Sequence, residues 1–284
     1  MQSSDAAIEI QHNPAASESS VIEYAPVNLD ALREGFASFH RAHPFDHCII
    51  DDFLKEEAIH RLSSEFIPYD SDKWFVYQNA IEDKKTLNDW NIFPKETYQF
   101  FSYLNSATFL DILSELAGVR LFADGGLHGG GWHSHRQGGY LNPHLDYSIH
   151  PKLKLQRKLN IILYASPSMR EEYGGHLGLW THNPDTNQPG ELVKEVAPLF
   201  NRAIIFDTTQ NAWHGMSRAL TQPAGIYRQS LAIYYLCVPG AQASKHERAL
   251  FAPTQAQIGD KEVEELIRQR AGVESSVKVY RKSS

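Results

Sequence analysis

Residues 226–238 read IYRQSLAIYYLCV, an uninterrupted run of β-branched, aromatic and aliphatic side chains broken by Arg228, Gln229 and Ser230 alone. Such a run, framed by Gly225 before it and Pro239–Gly240 after it, reads as a strand buried in a sheet. Moving outward, similar short runs occur at 127–135 (LHGGGWHSH), 140–148 (YLNPHLDYS), 158–166 (KLNIILYAS), 174–180 (GGHLGLW) and 202–208 (RAIIFDT). Gly, Pro, Asn and Asp clusters separate them. Strands at this spacing, with no helix-length periodicity between them, predict a sandwich or barrel and argue against alternating β/α units.

The flanks change character. Leu29, Leu32, Phe36 and Phe39 follow helical spacing up to Pro44, HCIIDDF (47–53) reads as a short strand, and Leu54–Phe66 as a second amphipathic helix. A third helix is expected over Ser106–Ala117, stopped by Gly118. Near the end of the sequence, Asp260 can cap a helix carrying Val263, Leu266 and Ile267. The expected plan is mainly β with flanking helices. Residues 1–28 form a leader, its first 20 residues Ser/Ala-rich and read as disordered or as a leftover expression segment. Residues 29–240 form one domain, with helical support over 29–118 and a β-barrel core over 119–240. Residues 241–284 form a C-terminal helical extension.

Composition narrows the function. The 284 residues are 42% apolar and 21% charged, enough for a sizeable core, and the formal net charge is −7. A nucleic-acid or membrane-surface protein needs a basic face, so neither partner is expected. No apolar run reaches the length of a membrane span, and no secretory h-region appears in the first 30 residues. Two cysteines, Cys48 and Cys237, make neither a disulfide framework nor a thiolate zinc site, which fits a reducing cytoplasmic setting.

Histidines are concentrated where the β-runs begin: five of the 14 fall between His128 and His150. Within LNPHLDYS, His144 and Asp146 stand at i and i+2, so on a strand they project from one face. His214 follows the 202–208 run, in a turn marked by Gly215. Two imidazoles and one carboxylate are the donor set of facial non-haem iron sites, whereas each residue alone reads equally as an ion pair or a surface histidine. Arg228 and Ser230 again stand at i and i+2, inside an apolar strand. A guanidinium there needs a partner or a ligand, and its fork grips a carboxylate with two parallel hydrogen bonds. His133 and His135 share a strand face without an interleaved carboxylate. His128, His150, His176 and His182 read as loop or surface residues.

Taken jointly, H-x-D at His144–Asp146, H-G at His214–Gly215 and R-x-S at Arg228–Ser230 resemble the pattern of the Fe(II)/2-oxoglutarate-dependent oxygenases, and within them the prolyl-hydroxylase-like group. The resemblance covers residues 119–240, and HCIIDDFL resembles that group's entry strand and helix. It implies a double-stranded β-helix, the jelly-roll or cupin-like barrel. It also implies Fe(II) on His144, Asp146 and His214, with Arg228 and Ser230 on the distal carboxylate of 2-oxoglutarate. Tyr164 matches a tyrosine that bonds the same carboxylate, and His133 or His135 stands where a polar residue lines the co-substrate pocket. Dioxygen is the third reactant, with ascorbate as a supporting reductant. The implied reaction is hydroxylation of an unactivated C–H bond with release of succinate and CO2. Asp146 itself argues against halogenation, since related halogenases carry a small residue there. The substrate is expected to be a prolyl or proline-like group, or a small biosynthetic metabolite. A jelly-roll metal-binding protein without activity is the alternative. Asp70–Pro94 and Met169–Tyr173 are candidate substrate-contacting or lid segments, with Trp74, Tyr77 and Trp90 as contacts or as core.

Overall fold

The computed structural model describes residues 24–274. Five α-helices appear: α1 (Leu29–Phe36), α2 (Glu56–Ser63), α3 (Lys95–Leu104), α4 (Ala107–Ala117) and α5 (Lys261–Ala271). In chain order the strands are β1 (His47–Ile50), β2 (Phe75–Asn79), β3 (Glu82–Leu87), β4 (Phe122–Ala123), β5 (Gly131–His135), β6 (Tyr140–Leu141) and β7 (His144–Leu145). They continue with β8 (Gln156–Tyr164), β9 (Leu177–Asn183), β10 (Gln188–Val196), β11 (Ala203–Asp207), β12 (Trp213–Met216), β13 (Arg228–Cys237) and β14 (Leu250–Phe251). None of the described helices is long and apolar enough to cross a membrane.

Two antiparallel sheets face each other. The larger runs β1-β11-β8-β13-β5-β3-β2, with β4 on β13 and β6 on β3, and the smaller runs β10-β9-β12-β7-β14. The 226–238 run forms β13, which lies in the middle of the larger sheet between β8 and β5. Alternation along it explains the two-sided burial. Leu231, Ile233 and Tyr235, with Leu159, Ile161 and Leu163 of the paired β8, join the core shared with helices α1–α4. Arg228, Ser230, Ala232 and Tyr234 point the other way and line a cavity between the sheets. The β-rich centre therefore carries two faces of opposite chemistry, one a helix-packed apolar layer and one a polar cleft.

Helix ends agree with their local chemistry. Asn28 caps α1 by accepting from the Ala31 N–H, Ser106 caps α4 by accepting from Phe109, and Asp260 caps α5 by accepting from Glu262 and Val263. Gly118 closes α4 at φ +64°, a conformation that favours glycine.

Several expectations need correction. Residues 24–28 were expected in the leader, yet Val27 is buried and bridges Leu54; residues 1–23 lie outside the described residues. The 29–118 layer is not purely helical: β2 and β3 form a hairpin that extends the larger sheet beyond β5. β3 (EDKKTL) is polar up to its last residue and β2 (FVYQN) carries its apolar residues consecutively, so no alternation marked them. The 241–284 extension contributes α5, but before it β14 adds a strand to β7. Two residues of pairing are too few to leave a periodic signal. His150 and His176, read as loop or surface residues, are buried.

Candidate active site

His144 begins β7 and His214 sits in the neighbouring β12, paired with each other in register. Gly215 allows this closeness: a Cβ there would stand 2.7 Å from the Asn142 carbonyl oxygen and 2.8 Å from Pro143 N. The two imidazole centroids are 4.3 Å apart. One ligand atom from each of His144, Asp146 and His214 lies within 4.8 Å of the others, the one cluster of this kind among the described residues. His214 Nε2 approaches Asp146 Oδ2 at 3.8 Å.

Both imidazoles are fixed in the same way. His144 Nδ1 donates to the Asn142 carbonyl at 3.0 Å and His214 Nδ1 to the Ala212 carbonyl at 2.8 Å, each two residues back along the chain. With the proton committed to Nδ1, the Nε2 lone pairs are left for a metal. Burial lowers the pKa of both, well below the ordinary value for His144, so they stand neutral at physiological pH.

Asp146 is held from three sides. Tyr234 Oη donates to Oδ1 at 3.0 Å, Arg157 Nη1 stands 3.2 Å from Oδ1, and Asn160 Nδ2 donates to Oδ2 at 3.4 Å. Burial pushes its pKa up, but the facing His214, Arg157 and His144 and the Tyr234 hydroxyl outweigh that and leave it below the usual value. Arg157 itself is clamped between the Tyr147 and Tyr234 rings, its Cζ 3.4 Å from each centroid.

Across the cavity, Arg228 is buried, with Nε donating to the Gly175 carbonyl at 2.8 Å and Nη2 to Tyr164 Oη at 3.2 Å. No carboxylate among the described residues pairs with it. Burial accordingly depresses its pKa, with Tyr164 opposing. Gly175 lies at φ +68°, and a Cβ there would stand 2.4 Å from Leu220 Cδ2 and 2.9 Å from Arg228 Cδ, so only glycine brings that carbonyl against the guanidinium. Ser230 pairs in register with Tyr164 on one side and His133 on the other, and Arg228 with His135. The structure thus gathers all eight residues singled out by sequence around one cavity of about 340 Å³, Tyr164 through its hydroxyl on Arg228. The His133 Nε2 atom is buried there without a hydrogen-bond partner.

Residues 130–236 match the family described as the 2OG-Fe(II) oxygenase superfamily. That stretch, under half of the chain, is similar to the oxygenase family in sequence. Prolyl 3-hydroxylase OGFOD1 of Xenopus laevis is 27% identical over 179 residues, which are 63% of this chain and 31% of that protein. The chain therefore spans about a third of that curated relative's length. A crystal structure of a Pseudomonas putida prolyl-4-hydroxylase superimposes with a TM-score of 0.51 at 14% identity, covering 74% of this chain and 100% of that one. That likeness is one of fold: the two curled sheets form a jelly roll.

The cavity also uses residues that the sequence did not single out. Arg157 and Tyr234 orient Asp146, and Phe251 of β14 stacks on His144. Tyr234 shares the i, i+2 series with Arg228 and Ser230, a signal that could have revealed it. Arg157 gave none, since an arginine at a strand's start is ordinarily exposed. His128 and His150 form a side cluster with Asp124, which accepts from the His128 N–H at 3.0 Å and faces His150 Nε2 at 3.6 Å. Of the aromatic residues in 70–94, Tyr77 lines the cavity, whereas Trp74 is buried in the helical core and Trp90 packs against it. The Met169–Tyr173 segment does not line the cavity.

Proposed function

We propose that this domain is an Fe(II)- and 2-oxoglutarate-dependent hydroxylase that uses His144, Asp146 and His214 as metal ligands and Arg228 as the co-substrate anchor. The observation that carries the reading is a buried guanidinium without a carboxylate, in one cavity with two buried, neutral imidazoles and a carboxylate. An unpaired charge at such a position is costly unless a ligand supplies the counter-charge. A barrel that only held metal has no use for it. The donor set and the orphaned His133 Nε2 both fit the implied groups.

Bound there, Fe(II) with 2-oxoglutarate supplies oxidation of an unactivated C–H bond by dioxygen, with succinate and CO2 as co-products. The protein's own work is positioning. His144 and His214 present Nε2 because their Nδ1 protons are held by backbone carbonyls, and Asp146 is kept ionised and oriented by Tyr234 and Arg157. Arg228 receives a carboxylate with two N–H groups, and the Tyr164 and Ser230 hydroxyls add donors on the same wall. The surrounding buried side chains exclude water and so strengthen each of these contacts.

The similarity to a prolyl 3-hydroxylase and to the fold of a prolyl-4-hydroxylase supports a prolyl or proline-like group as one substrate class; a small metabolite is the other. The deciding experiment is an anaerobic titration of the Fe(II)-loaded protein with 2-oxoglutarate, followed by the visible charge-transfer band. A saturating band is expected. If iron is bound and no band appears, the oxygenase reading fails and the inert metal-binding barrel replaces it.

A further inference from the structure

The cavity is cationic although the chain as a whole carries a net charge of −7. Most of its charges are accounted for by one another. Arg157 faces Asp146 at 3.2 Å, while Lys84 and Arg270 both face the buried Glu82, at 3.2 and 3.6 Å. Glu247 turns to Lys154 at 3.4 Å, outside the cavity lining. Two guanidinium groups are left without a carboxylate among the described residues: Arg228 in the interior, and Arg248 on the C-terminal arm. Arg248 also makes no hydrogen bond to a described residue, and its Nε is buried without a partner.

Arg248 is not on a loose tail. It lies two residues before β14, which pairs with β7 beside the metal-ligand candidates. Two residues before it, the His246 Nε2 donates to the Asp146 backbone carbonyl at 2.7 Å. The arm is tied again by Asn142 Nδ2, which donates to the Ala252 carbonyl at 3.0 Å, and by Gln257 Nε2, which donates to the Ala80 carbonyl at 2.6 Å. Its charge acts on both Tyr77 and His128, which also line the cavity. A guanidinium that lines this cavity from a tied-down backbone, with its hydrogen-bonding edge uncommitted, is an anion site.

The iron and the co-substrate do not satisfy it. The two positive charges of Fe(II) and the two negative charges of 2-oxoglutarate cancel, so the cavity keeps its cationic excess when both are bound. A single guanidinium matches one carboxylate. At about 340 Å³ the cavity is near the small end of ligand pockets and must hold the co-substrate as well. We propose that Arg248 anchors a carboxylate of the primary substrate, so that this oxygenase acts on a small carboxylic acid. The proposal rests on the oxygenase function proposed above.

The test compares matched acids and amides, N-acetyl-L-proline against N-acetyl-L-prolinamide and the same pairs for the other amino acids, in the Fe(II)- and 2-oxoglutarate-loaded protein. Succinate release is followed. At least one acid is expected to be turned over with a KM about 10- to 100-fold below that of its amide, the range of a charge-assisted bond. Arg248→Gln should raise the acid's KM by the same factor with kcat unchanged and leave the amide's KM where it was; Arg248→Lys should recover part of the loss. The proposal is overturned if amides serve as well as acids, if the acid preference survives Arg248→Gln, or if no acid raises succinate release above the substrate-free rate. The 2-oxoglutarate charge-transfer band separates the two levels. Its absence from the parent protein defeats the oxygenase reading, whereas its presence with any of those outcomes defeats only the Arg248 assignment. Loss of the band in Arg248→Gln alone assigns Arg248 to the co-substrate and also overturns it.

Discussion

The ring of Phe251 lies stacked on the imidazole of His144, centroids 5.0 Å apart and planes 19° from parallel. A residue of the C-terminal arm thus fixes the outer face of a metal-ligand candidate more than a hundred positions earlier in the chain. Its opposite neighbour, His214, stands 4.3 Å away, so His144 is held between two rings.

Phe251→Ala should therefore act on stability and metal affinity together. Phe251 is buried, and truncating a buried phenylalanine costs about 3–5 kcal/mol. Because the cavity opens against His144, Fe(II) affinity should also fall. Phe251→Leu, which keeps the volume without the stack, should recover most of the stability. Denaturant titrations and metal competition assays read the two effects separately, and an unchanged affinity in folded Phe251→Ala would show that the stack does not hold the imidazole.

Arg228→Met should split binding from stability. Fe(II) should bind as in the parent while the 2-oxoglutarate band disappears, because the anion anchor is gone. In the absence of co-substrate the variant should be the more stable protein, by about 1–4 kcal/mol, since it no longer buries an uncompensated charge. Melting curves with and without 2-oxoglutarate check this: the parent should gain stability on addition and the variant should not. A variant that melts well below the parent would mean that the guanidinium is already compensated.

Tyr234→Phe removes the hydroxyl that donates to Asp146 at 3.0 Å and leaves the ring on Arg157. Loss of an orienting hydrogen bond to a ligand typically weakens metal binding about 10- to 100-fold. The expected result is weaker Fe(II) binding with the fold intact, read by competition with a chelating dye. His144→Ala and His214→Ala should each remove binding altogether.

Acid should destabilise the metal-free protein at an unusually high pH. Burial lowers the pKa of His144, His135 and His214, takes His128 to about 4 and, with the nearby Lys84 and Arg228, takes His133 to about 3. In the unfolded chain these imidazoles protonate near 6.5, so below that pH the unfolded state binds more protons. Their contribution is fully present above pH 6.5 and is lost as the pH falls toward the folded values. The melting temperature should be flat from pH 8 to 7 and drop steeply between 6.5 and 4. A melting temperature unchanged down to pH 5 would show that the cluster is charged in the folded protein.

Much of the candidate site was visible in the sequence because it obeys short-range rules. His144 with Asp146 and Arg228 with Ser230 are i, i+2 pairs, and a strand must show such pairs on one face. Gly215 read as the mark of a turn, but it lies within β12, where the lack of a side chain lets that strand come close to Asn142 and Pro143. What could not be seen were residues whose role depends on a distant partner. Arg157 looks like any surface arginine until Tyr147 and Tyr234 close over it. His150 looks like a loop histidine until Asp124 faces it at 3.6 Å in the interior.

By itself the sequence determined that residues 119–240 are rich in β-runs, and which i, i+2 pairs of polar side chains share a strand face within them. Periodicity of two residues carries that information locally, because side-chain direction in a strand follows from backbone geometry alone. Only the tertiary structure decided that the β2–β3 hairpin and the C-terminal arm complete the cavity. They bring to it Lys84, Glu82, Phe251 and the unpaired Arg248. Those segments are short and carry no apolar alternation, and they pair with β5 and β7.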